Sequence, residues 1–271
     1  MEHGVSVLEA LLLGVVQGLT EFLPVSSSGH LILARDYLHI PEVPLLFDVL
    51  LHVATLLVIV FHYRVLVGKL IAAAWRFVRR THTMEDAPHL RLIATIIGAT
   101  VITVAIALGL KAFGLEAESR KSVSMLLLVS AALLASTPFA SRFVKGSGNL
   151  GWKQAMITGV AQGFGTLAGI SRSGATITAS LWAGMERKKA GEYSFILSIP
   201  AVLGALVLTL LSKDSPMTSI GAVPMLVGCL SAIVTGIAAL RLLLWMVREA
   251  RLWYFSPYLV AVGLFGLFAT V

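Results

Sequence analysis

The sequence predicts an all-α polytopic membrane protein built as an inverted-topology repeat, each half holding one re-entrant helical hairpin and three transmembrane helices. Three observations predict it. Of 271 residues, 57% are apolar and 13% charged, whereas a soluble domain has about a quarter of its residues charged. The apolar residues form long runs rather than amphipathic periods, and five of these, 92–110, 122–140, 193–212, 220–240 and 252–271, contain no Asp, Glu, Lys or Arg. Each reaches the roughly 20 residues a helix needs to cross the hydrocarbon. The third observation is that two interrupted apolar regions, 9–34 and 154–185, are copies of one another.

Along the chain, the N-terminus has neither a basic n-region nor a small-residue cleavage site, so the first apolar run is expected to be retained rather than removed as a signal peptide. Region 9–34 has a first arm at 10–20, a bend of Gly, Ser and Pro, and a short second arm at 29–34. A span follows at 45–63, with Asp48 and His52 in its first half, then a basic connection, 64–91, before the spans 92–110 and 122–140. As one helix the 32 residues of 154–185 would extend about 48 Å, more than the bilayer is thick. They are therefore expected to fold back, with arms at 154–164 and 174–185, as re-entrant hairpins do. Spans 193–212, 220–240 and 252–271 complete a single membrane domain over 1–271, divided into repeats 1–141 and 142–271.

A shift of 145 lays Ala10, Gly14, Val15, Gln17 and Gly18 on Ala155, Gly159, Val160, Gln162 and Gly163, and Ser26, Ser28 and Gly29 on Ser171, Ser173 and Gly174. These are eight identities in the 23 positions 9–31, concentrated on Gly, Gln and Ser, which a membrane helix has little compositional reason to use. A hairpin returns to its own side and three spans do not, so the second copy enters from the opposite side. Opposed broken helices meeting near the midplane commonly build a polar site between two halves. Fifteen Lys and Arg lie in the connections on one side, 64–91 among them, against five (Arg35, Lys111, Arg120, Lys121 and Lys213) on the other, with Arg172 set aside in the second bend. The positive-inside rule makes the first side cytoplasmic and puts both termini outside.

A net charge of +7 does not indicate nucleic acid, because the Lys and Arg sit between apolar runs and form no stripe with interleaved aromatics. The single Cys229 lies inside an apolar run and reads as packing.

Chemistry concentrates in the two bends. The first, Gln17 to His30, gathers the carboxylate of Glu21, the hydroxyls of Ser26, Ser27 and Ser28 and the imidazole of His30 at membrane depth, where ionisable groups are costly and default to function. The alternative is that Glu21 and His30 merely pin the loop by bonding each other. The second bend, Gly169 to Thr176, surrounds Arg172 with Ser171, Ser173, Thr176 and glycines. Arginine's planar fork grips phosphate oxygens, and a glycine-rich turn leading into a helix adds N–H donors, so this bend suits an anion. The alternative is a structural Arg172 paired with Glu21 or Glu192. The copies diverge usefully: Glu21 aligns with Thr166, His30 with Ala175 and Ser27 with Arg172. One half carries acid–base groups and the other the anion clamp.

The string Gln17 to His30, with its Glu-Phe-Leu-Pro-Val-Ser-Ser-x-Gly-His, and Gly169-x-Ser-Arg-Ser-x-x-Thr176 resemble the undecaprenyl-diphosphatase family associated with bacitracin resistance. The likeness covers essentially the whole chain, including Phe47-Asp48-Val49 and Gly191 to Phe195. Two departures stand out: Ala168 precedes Gly169 where the family usually has Pro, and Gln17 occupies a position often held by Glu. The resemblance implies hydrolysis of undecaprenyl diphosphate to the monophosphate carrier and inorganic phosphate, with a divalent cation, at the outer face of the bacterial inner membrane. The implied role is recycling of the cell-wall lipid carrier.

Joined to the residues, the resemblance implies that Arg172, with Ser171, Ser173, Thr176, Ser26, Gly29 and Gly174, binds the diphosphate and neutralises charge on the transferred phosphoryl group. Glu21 is the expected ligand for Mg²⁺ or Ca²⁺, which prefer carboxylate and phosphate oxygens. His30 is the expected general acid or base. Ser27 is a candidate nucleophile, and a water activated by Glu21 or His30 would serve as well. Gln17, Asp48 and Glu192 are expected in supporting positions, and His52 as packing. The expected partners are a polyprenyl diphosphate lipid and membrane lipids, without nucleic acid, and with a homodimer left open. A lipid flippase or secondary transporter would share the architecture. The type-2 phosphatidic acid phosphatase pattern fails, because Phe77 replaces its required Pro and its motif order is reversed.

Overall fold

A computed structural model of the chain describes residues 5–40, 43–115, 119–143, 150–211 and 220–269. Among these there are twelve α-helices and no strand: α1 (Val7–Phe22), α2 (Ser27–Leu38), α3 (Leu45–His62), α4 (Arg64–Val78), α5 (Ala87–Ala112), α6 (Arg120–Ala135), α7 (Thr137–Phe143), α8 (Trp152–Phe164), α9 (Arg172–Trp182), α10 (Arg187–Leu211), α11 (Ala222–Arg248) and α12 (Phe255–Phe268). Single 3₁₀ turns, Met84–Asp86 and Leu252–Tyr254, precede α5 and α12.

Five helical segments are long and apolar enough to cross a membrane: Leu45–His62, Met84–Ala112, Arg120–Ala140, Arg187–Leu211 and Ala222–Arg248. The chain is a multi-pass membrane protein. The sixth expected span, 252–271, is corrected to a shorter apolar segment, Leu252–Phe268. Its first turn is 3₁₀, and the α-helix proper starts only at Phe255. Other boundaries move as well. Helix α10 starts at Arg187 and α11 continues to Arg248, both beyond the charge-free runs, and the connection 64–91 contains α4. Turn geometry sets these ends: Gly184 before α10 and Ala250 after α11 have positive φ, 83° and 55°.

The two interrupted regions form helix–bend–helix pairs. Ser6 and Glu9 make a capping box that starts α1, with Glu9 N–H to Ser6 Oγ at 3.2 Å and Ser6 N–H to the Glu9 carboxylate at 2.7 Å. Pro24 disfavours helical backbone at Leu23, and α1 ends at Phe22. At 1.5 Å per residue α1 and α2 extend about 24 and 18 Å, and α8 and α9 about 20 and 16 Å, each shorter than the roughly 30 Å hydrocarbon core.

Each hairpin's first arm lies along a long helix from the other half, α1 on α11 and α8 on α5, while α3 packs on α10 and α6 on α12. The repeated glycines permit these close approaches. A methyl on Gly14 or Gly18 would strike the backbone of α11 at Gly228 or Ala232, and one on Gly159 would lie 2.7 Å from the Ala99 carbonyl of α5. Phe22, Leu127, Leu134, Ile177, Leu197 and Leu243 fill the interior. Near one end of α6, Arg120 lies 3.5 Å from Asp36 in the last turns of α2; at the other end, Trp182 of α9 donates to Ser136 at 3.0 Å.

Candidate functional site

The two bends meet tip to tip. Ser26 caps α2, its hydroxyl accepting from Gly29 N–H at 3.3 Å, and Ser171 caps α9 in the same way through Gly174 N–H at 3.1 Å. Ser26 holds a positive φ of 71°, a strained state for a residue with a side chain, and its hydroxyl also accepts from Gly169 N–H at 3.0 Å. Gly169 turns at φ 103°, and a Cβ on Gly29 would lie 3.1 Å from it, so only small residues let the tips touch. Ser173 donates to the Phe22 carbonyl at 3.3 Å. From α6, Ser130 donates to the Gly169 carbonyl at 2.9 Å and accepts from Ser171 N–H at 3.0 Å, bracing the second tip.

At this junction lies Glu21, in the last turn of α1, its side chain only 5% exposed. One carboxylate oxygen pairs with the Arg172 guanidinium. The other accepts from Ser27 Oγ at 2.6 Å and Gln17 Nε2 at 3.1 Å, and faces His52 Nε2 at 3.4 Å. A buried carboxylate persists only when paired and hydrogen-bonded, and here it is. His52 is held by α3: the Asp48 carbonyl can only accept, so Nδ1 donates to it at 2.8 Å and Nε2 faces Glu21. The Arg172–Glu21 pair named as an alternative in the sequence is therefore present.

A cavity of about 450 Å³ opens beside this cluster. Glu21, Ser26, Ser27, Asp48, Ser171, Arg172 and Ser173 line it, as do His52, Arg35, Gln162, Thr103 and Thr166. Leu31, Ile32, Leu45, Val49, Val202 and Ala205 make much of its wall apolar. Gln17 lies behind Glu21, fully buried, with its Oε1 lacking a partner.

Several expectations need correction. His30 does not line the cavity: its Nδ1 donates to the Ser26 carbonyl at 2.9 Å and its Nε2 accepts from the Tyr258 hydroxyl at 2.9 Å, the rings stacked. Both nitrogens of the expected general acid or base are engaged, because Tyr258 of α12 packs against the ring. Thr176 is fully buried one turn into α9, bonded to the Arg172 carbonyl at 2.7 Å and to Ser194. Gly29 and Gly174 contact the opposing bend rather than the cavity. Glu192 lines a separate pocket with Arg91, Lys189 and Tyr193, because α10 begins before it and turns it away from the hairpin tips.

The sequence reading missed His52, Arg35 and Ser130. The spacing of Asp48 and His52, four apart on one helix face, carried a signal for the first. Arg35 was counted as a loop charge because the second arm was expected to end at 34, whereas α2 runs to Leu38. Nothing in the local sequence marks Ser130.

This arrangement suits nucleophilic displacement on an anion. Ser27 and Glu21 stand within the hydrogen-bond reach required of a nucleophile and its base, and Arg172 lies where an anion would compete for it. Among the described residues, no three His, Cys, Asp or Glu side chains form a metal site of their own. A hard cation would need substrate oxygens beside Glu21 and the unpartnered Gln17 Oε1, an oxygen-donor set that fits Mg²⁺ or Ca²⁺.

Fold and site define a class: a polytopic membrane protein with a cavity where two helical hairpins meet, lined by Glu21, Ser27 and Arg172. The family profile described as bacitracin resistance protein BacA matches residues 10–265, and the chain belongs to that family. It is similar to the undecaprenyl-diphosphatase of Treponema denticola, 41% identical over 259 residues and 96% of each chain. It is 40% identical to that of Korarchaeum cryptofilum over 94% of this chain and 96% of the relative, and 39% identical to that of Desulfatibacillum aliphaticivorans over the same shares.

Proposed function

We propose that this protein hydrolyses undecaprenyl diphosphate to undecaprenyl phosphate and inorganic phosphate, which recycles the lipid carrier and underlies bacitracin resistance. The observation that carries the reading is the Ser27 hydroxyl bonded to a buried Glu21 that also holds Arg172, in a cavity with apolar walls. The relatives' shared name agrees with it. In the reaction the terminal phosphate takes the Arg172 fork, freeing one Glu21 oxygen. Ser27 Oγ attacks the terminal phosphorus as its proton passes to Glu21, the bond to the bridging oxygen breaks, and undecaprenyl phosphate leaves. Glu21 passes that proton on to the departing phosphate; water then attacks the phosphorus as the bond to the Ser27 oxygen breaks, and the proton Glu21 takes from the water goes on to the serine oxygen as inorganic phosphate leaves. Ser171 donates to a phosphoryl oxygen, and Ser173 joins it once its hydroxyl turns from the Phe22 carbonyl. A divalent cation, held by Glu21, Gln17 Oε1 and phosphate oxygens, supplies further neutralisation of phosphoryl charge when bound. A transporter of the same architecture has no need of the Ser27–Glu21 pair.

The protein works in the inner (plasma) membrane, its basic connections cytoplasmic and its cavity open to the outer face. Opposed entry of the two hairpins is supported by their contacts with opposite ends of α6, Asp36 with Arg120 and Trp182 with Ser136. The test is phosphate release from a C55 diphosphate by purified protein in detergent. Release is expected, with loss on chelation, recovery on added Mg²⁺ or Ca²⁺, and none from Ser27→Ala. No release by the wild type overturns the reading, and activity indifferent to chelator overturns the cation's part in it.

A further inference from the structure

The cavity holds a second ion pair that the reaction above does not use. Arg35 Nη1 lies 2.9 Å from Asp48 Oδ2, with side chains 19% and 20% exposed, and both residues line the cavity. The pair is one-pronged. Asp48 Oδ1 is buried with no partner, although arginine and carboxylate ordinarily pair through two parallel bonds. Arg35 Nε donates to the Leu31 carbonyl at 3.3 Å, so the side chain folds back along α2 towards Ser27 instead of extending to the outer end of the helix.

The lining therefore contains two arginines and two carboxylates, Arg172 with Glu21 and Arg35 with Asp48, and these balance in charge. A diphosphate brings two phosphoryl groups. Arg172 sits at the reacting end, beside Ser27. Asp48 lies one helical turn along α3 from His52, which faces Glu21, so the second pair is displaced from the first along the cavity. Leu31, Ile32, Leu45 and Val49 surround it on α2 and α3, which makes this the end fitted to a hydrocarbon chain.

We propose that Arg35 is a specificity-determining residue that binds the phosphate attached to the prenyl chain, exchanging Asp48 for it when the lipid enters. Arg172 grips the phosphate that leaves and Arg35 the one that stays with the lipid. The assignment rests on the hydrolytic reading. The product monophosphate then keeps only one of the two arginines, so cleavage itself weakens the hold on the lipid.

The test uses two substitutions in the full-length protein, Arg35→Gln and Asp48→Asn, with two readouts: KM for a C55 prenyl diphosphate, and equilibrium binding of the C55 prenyl monophosphate, which needs no turnover. Arg35→Gln is expected to raise KM and weaken monophosphate binding alike, by about ten-fold or more, with a smaller change in kcat. Asp48→Asn releases the guanidinium and is expected to bind the monophosphate as tightly as wild type or tighter. If Arg35 only anchors Asp48, both substitutions break the same pair and weaken binding together, and that result overturns the proposal. Monophosphate binding unchanged in Arg35→Gln also overturns it. Arg35→Lys, which keeps charge without the fork, carries the test if Arg35→Gln does not fold, with weakened binding expected and unchanged binding overturning. A wild type that releases no phosphate defeats the hydrolytic reading, while the monophosphate titration still decides the place of Arg35.

Discussion

At the scale of single residues, the proposed reaction works through competition for charge. Arg172 is held by Glu21, and Glu21 also accepts the Ser27 hydroxyl, so an incoming phosphate both docks and releases the base. Arg172→Lys keeps the charge and loses the planar fork. Its kcat/KM for the lipid diphosphate should fall by about 100-fold or more while the purified protein stays monodisperse. Near-normal turnover would end the clamp assignment. His30 calls for a different comparison. Its Nδ1 donates to the Ser26 carbonyl, next to Ser27, and an asparagine amide can reach the same position. If His30 positions the bend, His30→Asn should retain most of the activity that His30→Ala loses. Equal inactivation of both would restore His30 as a proton carrier. Glu21, Ser27 and Arg172 were legible in the bend motifs because charged groups at membrane depth need a reason. His52 and Arg35 were not, since each sits in a stretch that reads as span or loop until α3 and α2 turn them to a common space.

At the scale of elements, the repeat has a mechanical meaning. Gly14 and Gly18 on one hairpin and Gly159 and Gly163 on the other occupy matched positions, and each pair meets a long helix of the opposite half, Gly14, Gly18 and Gly159 at its backbone and Gly163 at the Ile106 side chain. Gly159→Leu should drive α8 from α5 and lower the thermal unfolding temperature, at a cost of about 1–3 kcal/mol or more. Gly204→Ala on α10 is the control, since a methyl there meets nothing within 4 Å. Matching stability losses in the two variants would show that glycine's backbone freedom, not close approach, is what matters. The bends themselves could be read from Gly, Ser and Pro, because those residues act locally. The helix ends could not. Charge-free runs mark where lipid is tolerated, while α10 and α11 extend past them to Arg187 and Arg248.

At the scale of the whole molecule, the prediction concerns sides of the membrane. With Cys229 replaced by Ala, single cysteines at Leu115 and at His82 report opposite faces, both positions being exposed. An impermeant thiol reagent applied to intact cells should modify the cysteine at 115 and spare the one at 82. The reverse pattern, or labelling of both, would remove the orientation and the outward-facing cavity with it. The sequence by itself determined that the chain is helical and membrane-embedded, that two regions break and repeat, and that Glu21, Ser27 and Arg172 gather in those breaks. All three follow from properties a residue carries locally: hydropathy, backbone freedom and the cost of charge in lipid. The tertiary structure alone decided which side chains meet at the junction. Helices α2 and α3 bring Arg35, Asp48 and His52 to the cavity, and α12 takes His30 out of it. These are contacts between segments distant in the chain, set by the packing angle and rotation of whole helices, which no local pattern encodes.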